Sequence, residues 1–237
     1  MFTRSTASFR ASTVPLIAAV ALTGGLLTAC SPSAVAEPVA ASTQSQAHSH
    51  AGQGHELPAA SAEASLYAAM RTLWDQHMGW TWSTVVAFAE DSPALDATLA
   101  RLLANQADIG DAIAPFYGED AAAQLTELLQ THITLAVPVL TAAKAGDTDA
   151  LDAALDDWYA NARNIADFLA AANHAWSKRD LRDMMETHIT QTTAYAAAVL
   201  GGDYESAIAT FDEAQAHMAE MADMLSAGLI AQFPERF

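Results

Sequence analysis

The chain has 237 residues, 52% of them hydrophobic, a formal net charge of −18 and one cysteine. So acidic a surface repels nucleic acid and anionic headgroups, which excludes electrostatic binding to either. A single thiol excludes an internal disulfide, so stability rests on buried apolar surface, and this length buries enough for one sizeable core.

In chain order, the first segment has the three-part form of an export signal: Arg4 and Arg10, an apolar run over residues 14–27, then small residues. The run is too short and too broken by glycine for a spanning helix. It ends in Leu27-Thr28-Ala29-Cys30, the spacing of a lipobox, and Cys30 is the one cysteine of the chain. Residues 1–29 are therefore expected to be a lipoprotein signal peptide. Cys30 is expected to carry lipid, palmitate included, that holds the protein to the cell membrane, facing outside the cytoplasm. Cleavage removes Arg4 and Arg10, leaving the mature chain more acidic still, so the membrane is a partner through acyl chains alone.

Residues 30–60 hold the lipidated cysteine and a stretch rich in Ala, Ser, Pro, Gln and Gly, which reads as a disordered tether. His48, His50 and His55 within it form a small cluster able to chelate Cu(II) or Zn(II) weakly. From residue 61 to 237 the apolar spacing is helical. Six helices are predicted, over 61–90, 93–114, 119–145, 148–172, 178–200 and 203–232. Ser92-Pro93 reads as a cap before a first-turn proline, Ser177 as a cap with Asp180 three residues on, and Gly118 and Gly201-Gly202 as stops. Pro138, inside the third helix, is expected to kink it.

An internal repeat organises these helices. The segments containing His77, His132 and His188 align as Leu73-Trp74-Asp75-Gln76-His77-Met78, Leu128-Leu129-Gln130-Thr131-His132-Ile133 and Met184-Met185-Glu186-Thr187-His188-Ile189, with histidines 55 and 56 residues apart. Asn105, Asp108 and Asp111 align with Asn161, Asn164 and Asp167 on the following helices. The predicted fold is all-α, a six-helix bundle built from three repeated antiparallel helical hairpins.

Helical periodicity puts the three histidines on apolar stripes. These are Leu66, Met70, Leu73, Trp80, Thr84 and Phe88 around His77; Leu125, Leu128, Leu135 or Ala136, and Val139 around His132; and Leu181, Met184, Tyr195 and Val199 around His188. Three neutral imidazoles at one level can ligate a transition metal, copper or zinc, with Asn105, Asp108, Asn161, Asn164 and Asp167 as orienting groups or additional ligands. His217 and Met221, which share a face with Met224, add soft donors suited to copper. The same pattern is met if each histidine only hydrogen-bonds an Asn, Asp or Gln across its own hairpin, the ordinary fate of a core histidine. One geometric test separates the two, because rings more than about 8 Å apart cannot share an ion at bond lengths near 2 Å. A slot near Trp80 and His77 is the first place to look for a small molecule.

The chain shows no Gly-rich phosphate loop, no nucleophile elbow, and no Glu-x-x-His or Cys-x-x-Cys pair. Four segments carry a resemblance: Leu73 to Trp82, Leu102 to Gly110 with Pro115-Phe116-Tyr117-Gly118, Trp158 to Ala162, and Met221 to Leu225. Over residues 66–235 the chain resembles an uncharacterised family of bacterial, often exported, all-helical proteins. Labels attached to such sequences include acetylglutamate kinase and glycosyltransferase. Neither suits a chain without a phosphate loop or alternating strands and helices, so the resemblance implies a domain and no activity. The expected function is a membrane-anchored extracytoplasmic binder of a metal or small ligand; the alternative is a non-catalytic structural or interaction module of the cell envelope.

Overall fold

Helix starts follow the capping side chains that the sequence offers. In the computed structural model, which describes residues 60–237, Ser61 Oγ accepts from Ala64 N and opens α1 (Ala62–Ala89). Asp147, Ser177 and Asp203 do the same for α4 (Thr148–Ala172), α5 (Lys178–Leu200) and α6 (Tyr204–Gln232). Gly118, at φ 86°, both ends α2 (Leu95–Tyr117) and begins α3 (Glu119–Ala145). A residue with a side chain is strained there. Cys30, the signal segment and the tether with His48, His50 and His55 lie outside the described residues.

The six helices stand where the periodicity puts them, with two departures in α2. Ser92-Pro93 does not cap it: Ser92 Oγ accepts from Ala94 N in a turn, and the helix starts at Leu95. At its other end α2 runs through Pro115 to Tyr117. The missing N–H of Pro115 frees only the carbonyl four residues back, at Asp111, an exposed residue. α3 likewise continues unbroken through exposed Pro138.

Each helix packs on its neighbours in chain order and α6 closes on α1, while α5 also touches α1 and α3. Packing between α2 and α3 is as extensive as packing within any consecutive pair. Two apolar cavities give the directions of the helices. α1, α3 and α5 pass from one lined by Met70, Leu125 and Met185 to one lined by Val85, Val139 and Ala196. α2 and α4 pass the other way, from Leu99 and Leu151 to Ile113 and Leu169. Successive helices from α1 to α5 are therefore antiparallel, and the level between the cavities is where His77, His132 and His188 sit. No helix among the described residues is long and apolar enough to cross a membrane.

Candidate functional site: a histidine layer beneath an apolar cavity

His77, His132 and His188 are each 3% exposed, so the periodicity placed all three correctly in the core. The apolar faces beside them are turned slightly from the predicted stripes. Trp74, Met78 and Val85 are the buried partners on α1, whereas Leu73 and Trp80 are half-buried, and the Arg101 guanidinium lies over the Trp80 ring. Leu129 and Met185, not Leu128 and Met184, are the buried members on α3 and α5.

The His77 and His188 rings have centroids 5.5 Å apart, and those of His132 and His188 are 5.8 Å apart, the latter stacked at 28°. His188 is thus the middle member, and both separations are below the roughly 8 Å beyond which a shared ion is ruled out. As they stand, no three His, Cys, Asp or Glu side chains among the described residues form a metal-binding group.

Amide side chains fix two of the rings. Gln106 Nε2 donates to Leu102 O (2.9 Å) and faces His77 Nδ1 at 3.2 Å, so Nδ1 is the acceptor and the His77 proton lies on Nε2. Asn161 Nδ2 donates to Leu128 O (3.2 Å), which turns its Oδ1 toward His132 Nδ1 at 2.9 Å. His132 therefore donates from Nδ1 and carries its lone pair on Nε2. That Nε2, and Nδ1 of His188, are buried with no hydrogen-bond partner in the protein.

Burial sets the charge of the layer. It pushes the His77 pKa down to about 3, with His132 adding a smaller push, and the His132 pKa down to about 4 against the pull of Asn161. His188 is held well below its ordinary value by burial, then by His77, His132 and His217. All three are neutral imidazoles at pH 7, the form that ligates metals and accepts hydrogen bonds.

The same backbone contact recurs in three helix pairs, α1–α2, α3–α4 and α5–α6. Asn105 Nδ2 donates to Leu73 O (3.1 Å), Asn161 Nδ2 to Leu128 O (3.2 Å) and His217 Nε2 to Met184 O (2.9 Å). In every case the acceptor lies four residues before the core histidine. Asn105 thus braces the backbone beneath His77 without touching its ring.

Other predicted participants are elsewhere. Asp108 is exposed and paired with Arg101, Asn164 is exposed, and Asp167 is held at the surface by Arg182 and Lys178, so none of them reaches the layer. Met221 is buried in the other cavity, among Met70, Trp74 and Leu225. Gln106, the partner of His77, escaped the sequence reading. Its signal was its spacing of −4, +3 and +7 from Leu102, Ile109 and Ile113, all buried.

The histidines line one side of a cavity of ≈ 110 Å³ whose remaining wall is almost wholly apolar. Trp158, which stacks beside His132 at 5.2 Å, forms part of that wall. The slot expected near Trp80 and His77 is lined by His77, with Trp158 in place of Trp80. No protein-family model, curated protein or solved structure matches this chain.

Proposed function

We propose that this protein is an extracytoplasmic binding lipoprotein, anchored through Cys30, whose helical bundle holds a copper or zinc ion at His77, His132 and His188. The observation that carries this reading is the gathering of three neutral imidazoles at one level, with His132 Nε2 and His188 Nδ1 unpartnered in the protein. Asn161 supports the role from behind, since an acceptor on Nδ1 holds Nε2 ready as a ligand. His77 joins only if the Gln106 amide gives up its bond to Leu102 O and turns over, so that Oε1, unpartnered now, accepts from Nδ1 and the lone pair moves to Nε2. The three repeated hairpins belong to the same proposal: the recurring contact four residues before each histidine is what one ancestral hairpin, copied twice, leaves behind.

A second reading has its own support. Two of the three rings already have amide partners, which is what purely structural core histidines require. Metal analysis separates the readings. The full chain, taken from the membrane fraction in detergent, is titrated with Cu(I) and Zn(II) beside a variant with all three histidines changed to Gln. One ion per chain, lost in the variant, is the expected result. A wild type that takes up neither ion leaves the structural reading. Cys30→Ser should release the chain from that fraction, and its retention there would remove the anchor.

A further inference from the structure

We propose that the cavity beside the histidine layer binds a small neutral molecule, largely hydrocarbon and about one ring in size, that carries a single hydroxyl group. This goes beyond the metal reading and does not require an ion. The wall is made by Val85, Leu102, Ile133, Val139, Leu140 and Trp158, and no Lys, Arg, Asp or Glu contributes to it. A charged ligand would lose its hydration there and gain no partner, which excludes carboxylates and amines.

Size follows from volume. An apolar cavity of about 150 Å³ stays dry and accepts benzene. At ≈ 110 Å³ this one suits a single small ring. Exposed Val137 and Ala197 both line it, so it reaches the surface beside α3 and α5.

The hydroxyl is called for by the polar atoms that remain. Thr81 and Thr84, on α1, return their hydroxyls to His77 O (2.7 Å) and Trp80 O (2.8 Å) of their own helix. Thr192 and Thr193, on α5, do not: both Oγ1 atoms are buried without a partner, as is His132 Nε2, and all three residues line the cavity. A buried polar group left unpaired is a cost to the fold that a bound partner removes. One ligand hydroxyl relieves two of the three together, donating to His132 Nε2 and accepting from one threonine. With an ion on His132, the two threonines are still available to the hydroxyl.

Phenol, benzene and benzoate are the probes, titrated by calorimetry into the full chain in detergent after chelation of metals. Saturable one-to-one binding of phenol is expected, with benzene about 3- to 10-fold weaker, the worth of one hydrogen bond, and no binding of benzoate. Thr192→Val with Thr193→Val should keep the shape and narrow the preference for phenol over benzene to the part that His132 Nε2 supplies. Ala136→Leu, which fills the cavity from α3, should abolish binding of both. Should that variant fail to fold, nuclear Overhauser contacts between phenol and the Trp158 indole in the wild type give the location. Absence of saturable phenol binding, equal affinity for benzene, or phenol with no contact to Trp158 would overturn the proposal. Because these titrations use metal-free protein, they succeed or fail separately from the metal analysis.

Discussion

His132 and Asn161 form a buried polar pair whose energetics can be isolated. The ring donates to Asn161 Oδ1 at 2.9 Å, and both residues are shielded from water. Asn161→Leu strands the His132 Nδ1–H, and His132→Leu strands Asn161 Oδ1, so each single change should lower stability by about 2–3 kcal/mol. The double variant leaves neither atom without a partner. Its loss should fall short of the sum by about 1–2 kcal/mol, read from urea unfolding; strictly additive losses would mean that the pair is not coupled. At this scale the sequence is partly legible. Apolar spacing locates all three histidines, because a turn of 3.6 residues leaves little choice of face. Their partners were harder to find. Asp108 and Asn164 share the side of the helix that bears Asn105 and Asn161, but a carboxylate gains more from Arg101 and water than from a buried imidazole. Gln106 was passed over because the repeat drew attention to its neighbour.

Helix boundaries are set by short-range chemistry, and so were readable to within a residue or two wherever a cap or a left-handed glycine marks them. Close approach between helices is not marked in this way. Gly79 and Gly110 both sit inside helices, and intrinsic propensity favours Ala over Gly at each by about 1 kcal/mol. The structure separates them. At Gly79, exposed on α1, an added methyl meets nothing within 4 Å. At Gly110, buried on α2, it falls on Thr126 Oγ1 and 2.8 Å from the Ala122 carbonyl oxygen of α3. The hydroxyl can rotate away, but the backbone oxygen cannot. Gly79→Ala should therefore stabilise the fold by about 0.5–1 kcal/mol, and Gly110→Ala should destabilise it by about 1–3 kcal/mol. Thermal melting of the two variants checks the opposite signs, and a stabilising Gly110→Ala would show that α2 and α3 can move apart freely.

Ring closure is the feature least legible from sequence, since it joins residues far apart in the chain. Arg71 forks onto Asp223, Gln215 reaches Asp75, and Trp82 packs on Phe211 at 4.9 Å, tying α6 to α1. Within the closed ring the three histidines are buried, and their burial ties the stability of the whole molecule to pH. Above the ordinary histidine pKa of about 6.5, the rings are neutral in both folded and unfolded chains. Below it the unfolded chain takes up protons that the buried rings refuse until about pH 4 for His132 and about pH 3 for His77, with His188 also well depressed. The unfolded state thus binds more protons, and stability falls as pH falls. With three rings the slope reaches about 4 kcal/mol per pH unit, large against a typical total of about 5–15 kcal/mol. The depressed carboxylates Asp167, Asp203 and Asp223 are at the surface and act in the same direction but at lower pH, below the ordinary carboxylate pKa of about 3.9, since they hold their charge to lower pH than in the unfolded chain. They do not produce a loss near pH 5. Helical circular dichroism should therefore collapse between about pH 6 and pH 4, with His77→Gln, His132→Gln and His188→Gln together moving the midpoint down by about a unit or more. An ion held by neutral rings should move it down as well, because protons must then displace the metal before the layer opens. An acid midpoint that ignores the three substitutions would show that the histidine layer does not govern the response.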